Sequence, residues 1–187
     1  MSRPGSRSDS GFTFVGERVI HDGFVITVSE AEFTTPDGDT MRRDIVRHPG
    51  AVGVVAVDGD DVVLVRQFRS PLVADVLEIP AGKRDVADEP PEVTAGRELI
   101  EEVGLEAGRM ESIGGFHNSV GFCDEYVHLF LATDLSPAAF APDGPEEEHM
   151  QIVRLPLTDV PAAIDDGTIT DAKTIIGLRS ALARLGR

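Results

Sequence analysis

One helix set between two runs of strands is the feature that most constrains the fold. Between Pro91 and Val103, the residues Val93, Gly96, Leu99, Ile100 and Val103 recur at about 100° per residue, so they predict one face of an α-helix. Gly104 stands where a left-handed C-terminal cap belongs. Upstream lie short β-branched runs at 18–20 and 24–28, a turn at Pro36-Asp37-Gly38-Asp39, and a returning strand over 41–48, closed by Pro49-Gly50. Runs 51–57 and 62–68 flank Asp58-Gly59-Asp60-Asp61, which reads as a hairpin. A short apolar run, 76–79, stops at Pro80-Ala81-Gly82. Strands resume at 110–116, 127–132 and 152–155. Two helices end the chain, at 158–166 and at 171–185, the last capped by Thr170 or Asp171. Many strands, one helix, more strands and terminal helices do not alternate as a regular βαβ sheet would; the order predicts an α+β chain with an N-terminal antiparallel β segment. The expected division is a flexible tail over 1–11, a β segment over 12–48 and a main domain over 49–187.

Charge narrows the function. The formal net charge is −16, which repels nucleic acid and anionic membranes and argues against both as partners. The same field repels phosphates unless cations mediate the contact. Cys123 is the only cysteine, so no internal disulfide forms and a reducing cytoplasm is the expected location. No apolar run reaches the roughly 18 residues that a membrane helix needs. Residues 1–11 are rich in Ser, Arg and Gly and lack the apolar centre of a signal peptide.

The helix itself breaks a local rule. Glu98, Glu101 and Glu102 are spaced i, i+3, i+4, so they share a face, expected opposite Val93, Ile100 and Val103. Each such like-charge pair costs about 0.2–0.5 kcal/mol. Glu101 and Glu102 also occupy the last turn, where the helix dipole disfavours anions. Arg97 offsets part of this. Carboxylates converging without Cys or His are hard-oxygen ligands suited to Mg²⁺ or Mn²⁺ rather than zinc. Taken alone, the pattern reads more readily as a solvated acidic face of a very acidic protein.

Its context resolves that ambiguity. The segment Gly82-x6-Glu89-x7-Arg97-Glu98-Leu99-x-Glu101-Glu102-x-Gly104-Leu105 resembles the Nudix box, G-x5-E-x7-R-E-U-x-E-E-x-G-U with U apolar. One extra residue separates Gly82 from Glu89, so the loop before the helix must bulge. The resemblance implies the Nudix fold, a mixed sheet sandwiched between helices. It implies Glu98 and Glu102 as metal ligands, Glu101 contributing directly or through water, and Arg97 pairing with a helix glutamate. Glu78-Ile79-Pro80-Ala81-Gly82, following Arg66-Gln67-Phe68-Arg69, is similar to a pattern of ADP-sugar pyrophosphatases whose Ala carbonyl binds metal; Ala81 occupies that position.

Further expectations follow from the same resemblance. Arg69 offers a guanidinium to a phosphate, and Glu78 contacts metal-bound water or a ribose. Ser119 to Glu125 resembles a segment of ADP-ribose hydrolases, with Val120 where those enzymes carry proline; Glu125 is a candidate for the acidic site. The acidic loop around Glu146, Glu147 and Glu148 matches the place of a catalytic glutamate, with Glu147 first, then Glu148. His117, His128 and His149 lack metal-ligand spacing, and Cys123 reads as packing. The implied activity is Mg²⁺-dependent hydrolysis of ADP-ribose or a related ADP-sugar, by a homodimer formed through the N-terminal strands. NADH, GDP-mannose or another nucleotide sugar are alternative substrates, and a non-cleaving ADP-ribose sensor is the alternative of another class.

Overall fold

A computed structural model describes residues 4–139 and 149–187. Two compact units result: Met1–Gly50 with His117–Glu125, and Ala51–Phe116 with Tyr126–Arg187.

The first unit holds a three-stranded antiparallel sheet of β1 (Thr13–Asp22), β2 (Thr27–Thr34) and β3 (Thr40–Arg47). Run 24–28, expected as a strand, divides. Asp22 pairs with Thr27, and Gly23 donates its N–H to the Ile26 carbonyl at 2.9 Å, so Phe24 sits fully exposed in the turn. The physical reason is register: the Thr27 hydroxyl anchors on the Asp22 carboxylate at 2.9 Å and closes the loop one residue before the apolar run ends. Pro36 to Asp39 forms the second turn as expected, between Thr34 and its partner Thr40. Gly5 N–H donates to the Phe14 carbonyl and Phe14 N–H to the Ser6 carbonyl, so the segment read as a tail lies along β1. The core here is small: Phe14 and Phe33, with ring centroids 5.5 Å apart, beside the buried Ser29 and Ala31.

The second unit is built on seven strands. In order these are β4 (Ala51–Asp58), β5 (Asp61–Arg69), β6 (Ala74–Glu78), β7 (Ala81–Lys83), β8 (Leu105–His117), β9 (Tyr126–Pro137) and β10 (Gln151–Pro156). The main path runs β10-β5-β4-β9-β8, with β6 beside β5 and β7 beside β4. β4 and β9 pair in parallel, while β4 with β5 and β5 with β10 are antiparallel, so the sheet is mixed. Val52, Val54, Ala56, Val63 and Val65 pack with Ala95, Leu99 and Val103 of α1 (Pro91–Val103). Val55, Val57, Val62 and Leu64 pack with α2 (Val160–Asp165) and α3 (Ala172–Leu185) on the other side. Burial on both faces explains why β4 and β5 read as continuous apolar runs rather than alternating ones. Each such Val or Leu contributes about 1.5–3 kcal/mol by leaving water.

α1 begins at Pro91, in the first turn where a missing N–H costs nothing. It ends at Gly104, φ 64°, whose N–H returns to the Ile100 carbonyl at 2.9 Å. Its buried face differs from the expected one. Thr94, Ala95, Glu98, Leu99, Glu102 and Val103 are buried, whereas Val93 is exposed. The apolar stripe is narrow, Ala95-Leu99-Val103, and the space beside it is filled by two carboxylates rather than by Val93. Among the described residues no helix is long and apolar enough to cross a membrane.

Candidate active site

The site is built where the chain leaves β6 and enters β7. β7 pairs with β4 through Gly53–Ala81 and Val52–Gly82, and the Pro80 carbonyl accepts from Val54 N–H at 2.8 Å. This pins Pro80-Ala81-Gly82 beside α1. Ala81 N–H donates to Glu102 Oε2 at 2.9 Å. Gly82 faces Glu98 so closely that a Cβ there would lie 1.9 Å from the carboxyl carbon; only glycine fits. Glu98 and Glu102 are 6% and 5% exposed, an expensive position for carboxylates unless donors or cations meet them.

Arg97 supplies part of that compensation. Its Nη1 lies 2.8 Å from Glu101 Oε2 and 3.0 Å from Glu98 Oε1, and its Nη2 lies 3.5 Å from Glu89 Oε2. Burial alone would lower the Arg97 pKa; the charges of Glu98, Glu101 and Glu89 outweigh it and raise it. Glu89 is fixed by the Thr94 hydroxyl, which donates to Oε2 at 2.7 Å. The extra residue of this loop is accommodated with Asp88 in left-handed backbone, φ 62°, a conformation Asp tolerates better than most residues. Glu89 thus still reaches the helix.

A second constellation lies one step upstream. Glu78, 1% exposed, receives Arg69 Nε and Nη2 at 2.6 and 2.7 Å, a bidentate pair, and a short contact from Lys173 Nζ. Lys173 also lies 3.1 Å from Asp171 Oδ2. Burial pushes the Glu78 pKa up, but the Arg69 hydrogen bonds and the Lys173 charge outweigh it and hold the carboxylate below its ordinary range. The Arg69 pKa is raised in return, chiefly by its bond to Glu78. Arg69, read from the sequence as a phosphate contact, therefore has a carboxylate partner within the protein. Lys173 and Thr174 escaped the sequence reading. Asp171 had been legible as a helix cap, and it does accept from Thr174 N–H at 2.9 Å; the link to Glu78, 95 residues away, left no local signal.

Glu125 belongs to the first unit, where its Oε2 accepts from Asn118 Nδ2 at 2.8 Å. His48 Nδ1 is 3.7 Å from its other oxygen and instead accepts the Gly50 N–H at 3.1 Å. Val120 is exposed and Cys123 half-buried. Glu146, Glu147 and Glu148 lie outside the described residues.

Among the described residues no three His, Cys, Asp or Glu side chains are gathered closely enough to hold an ion by themselves. Arg97 Nη1 contacts both the Glu98 and the Glu101 oxygens. The oxygen-only donor set nevertheless fits a hard divalent cation. Two buried carboxylates stand against Ala81-Gly82: the missing Gly82 side chain gives the Glu98 carboxylate its place, and the Ala81 N–H holds Glu102.

Comparison with known proteins turns this geometry into a family assignment. The NUDIX domain model matches residues 47–176. The chain belongs to the Nudix family. Every site residue from Arg69 to Thr174 falls inside the matched stretch. The Nudix chain is 39% identical over 166 residues to the ADP-ribose pyrophosphatase of Bacillus subtilis, spanning 88% of this chain and 89% of that one. It is 40% identical over 161 residues to the methanol dehydrogenase activator of Bacillus methanolicus, spanning 86% of each. A crystal structure described as an ADP compounds hydrolase superposes with a TM-score of 0.82 over 97% of both chains at 23% identity, a likeness of fold.

Proposed function

We propose that this Nudix protein hydrolyses the pyrophosphate bond of ADP-ribose or a closely related ADP-sugar, releasing AMP and a sugar phosphate. The observation that carries the reading is the pair of buried carboxylates, Glu98 and Glu102, set against Ala81-Gly82 within the matched stretch. Two relatives named ADP-ribose pyrophosphatase, at 39% and 32% identity, support the substrate.

Glu98, Glu102 and the Ala81 carbonyl hold Mg²⁺, or Mn²⁺ in its place, with Glu101 contributing directly or through water. When bound, the ion supplies neutralisation of the pyrophosphate charge and acidification of a water. The protein's own residues do the rest. Arg97, bonded to Glu101 and Glu98, keeps both carboxylates oriented between turnovers. The Ala81 N–H fixes Glu102 in one rotamer. Of the five donors of Arg69, two go to Glu78; the others are offered to a substrate phosphate. Glu78 orients Arg69, and Glu125 contributes to substrate binding. Glu147, with Glu148 as second choice, takes the proton of the attacking water. The protein works in the cytoplasm as a homodimer, with residues 12–48 as the dimerisation segment, 1–11 preceding it and 49–187 as the catalytic domain. The exposed Val19, Ile20 and Phe24 in the first unit support such a contact.

The test is phosphate release from ADP-ribose, coupled to a phosphatase acting on the products, with Mg²⁺ and with EDTA. Turnover that requires metal and falls by orders of magnitude in Glu102→Gln is expected. Near-normal turnover in a folded Glu102→Gln protein refutes the assignment, and tight binding without turnover indicates a sensor. A panel including GDP-mannose and NADH, run on the wild type and Val120→Pro, sets the substrate.

A further inference from the structure

Ala81-Gly82 is held on one side by α1, through Glu102 and Glu98. The other side of the same loop is held by the first turn of α3. Ile79 N–H donates to Thr174 Oγ1 at 2.9 Å, a fully buried bond. The Thr174 hydroxyl donates in turn to Asp171 Oδ2 at 2.6 Å, and the same oxygen caps the helix by accepting Thr174 N–H at 2.9 Å. Lys173, on the next position, bridges Asp171 to Glu78. Two consecutive residues immediately before Pro80-Ala81-Gly82 are therefore fixed by two consecutive residues of α3, one through a main-chain N–H and one through a carboxylate. The approach is close: a Cβ on Gly177 would meet Val55 Cγ2 at 3.1 Å and Ile79 Cδ1 at 3.2 Å, so α3 can come this near β4 and Ile79 because position 177 lacks a side chain.

We propose that Lys173 and Thr174, ordered by the Asp171 cap, are positioning residues of the reaction: they clamp Glu78 and Ile79, and so set where the Ala81 carbonyl stands relative to Glu98 and Glu102. This rests on the reading above that Ala81, Glu98 and Glu102 hold the metal. The chemistry favours the assignment over mere helix docking. Besides the apolar contacts of Val55, Ile79 and Leu178, α3 brings a buried threonine hydroxyl to the Ile79 N–H and a part-buried lysine to the buried Glu78 carboxylate, the two residues that lead directly into Pro80-Ala81-Gly82. The polar chain runs from the part-buried Asp171 through the Thr174 hydroxyl to the buried Ile79 N–H, and the Thr174 N–H, Thr174 hydroxyl and Ile79 N–H each have an acceptor in it. Proline at position 80 carries the constraint forward, because its ring fixes φ.

Thr174→Val keeps the shape of the side chain and removes the acceptor for Ile79 N–H. The first readout is Mn²⁺ binding to the full-length protein without substrate, by electron paramagnetic resonance titration. The second is kcat and KM on ADP-ribose. Outer-shell residues that orient ligands change affinity or turnover by about 10–100-fold. Thr174→Val is expected to weaken Mn²⁺ binding and lower kcat within that range while KM moves little, and Thr174→Ser is expected to restore both. A folded Thr174→Val protein with wild-type Mn²⁺ affinity and kcat overturns the proposal, as does a loss confined to thermal stability. If Thr174→Val does not fold, Lys173→Met decides, because it leaves the Ile79 bond intact and removes one of the two cations on Glu78; unchanged Mn²⁺ affinity there overturns the proposal equally. Glu102→Gln in the same titration separates the two layers. If it leaves Mn²⁺ binding unchanged, the metal site itself has been misassigned; if it abolishes binding while Thr174→Val does nothing, the clamp alone fails.

Discussion

Both units pair arginines with glutamates across neighbouring strands, yet the pairs do different things. In the first unit Arg42 meets Glu32 at 3.0 Å and Arg18 meets Glu30 at 3.5 Å, with the arginine side chains 63% and 72% exposed. In the second, Arg69 meets a Glu78 side chain that is 2% exposed. The contrast follows from cover. The three-stranded sheet carries few buried side chains, whereas the seven-stranded sheet is packed by helices on both faces. The difference is one of degree: Arg47 of the first unit meets a Glu17 side chain that is still 21% exposed, whereas Glu78 lies almost wholly out of water, where a carboxylate must be met by a cation or a donor and in turn holds that partner tightly. The exposed pairs of β1, β2 and β3 follow the strand register; the Arg69–Glu78 pair adjoins the candidate site.

The largest expected effect comes from breaking the buried pair. Glu78→Ala leaves Arg69 and Lys173 facing each other without their shared anion. Removing one partner of a buried ion pair costs about 3–5 kcal/mol, and urea unfolding of the variant against the wild type measures it. A loss near that of an exposed pair would erase the distinction between the units.

Gly82→Ala comes next and acts on activity. The added Cβ would sit 1.9 Å from the Glu98 carboxyl carbon, so either Glu98 or β7 must shift. A misplacement of about 1 Å costs on the order of 10²-fold in rate. Turnover of ADP-ribose should fall by about that factor, with circular dichroism unchanged.

These two residues also show what was legible in the sequence. α1, its Gly104 cap and the glutamate ladder could be read because helix periodicity is local: the same 3.6-residue repeat that forms the element displays it. Which side of α1 is buried was misread, since Val93 and Ile100 are apolar but the sheet takes only Ala95, Leu99 and Val103, leaving the adjoining space to Glu98 and Glu102. Burial of a carboxylate depends on what faces it, and what faces Glu98 is a glycine on another element. Glu78 and Lys173 are farther still from any local rule. Their contact exists because β6 and α3 meet in three dimensions, and neither the hydropathy nor the spacing of 173–174 differs from that of an ordinary helix start.

Acid should separate the units by a smaller margin. The Glu78 pKa lies below the ordinary glutamate value of 4.5 in the folded state. Its contribution to stability is then present above that ordinary value and is lost as pH falls through the lower folded value. Unfolding midpoints measured down through this window should drop more steeply in the wild type than in Glu78→Gln, which has nothing to protonate there. Equal slopes would mean that Glu78 titrates as an exposed carboxylate does.

The smallest effect belongs to the exposed pair. Arg42 donates both Nε and Nη2 to Glu32 Oε2, at 3.1 and 3.0 Å, across the Glu32–Arg42 register of β2 and β3. The geometry alone suggests strength. Water competes for both groups, however, and holding two long side chains in one arrangement costs rotamer entropy, so exposed pairs of this kind contribute about 0.2–1 kcal/mol. A double-mutant cycle of Arg42→Ala and Glu32→Ala should give a coupling energy in that range and smaller still in 1 M salt, where charges are screened over about 3 Å. A coupling several times larger, insensitive to salt, would show that this face of the three-stranded sheet is covered in solution. The exposed Val19, Ile20 and Phe24 of the same unit would then be the first residues to examine in a homodimer contact.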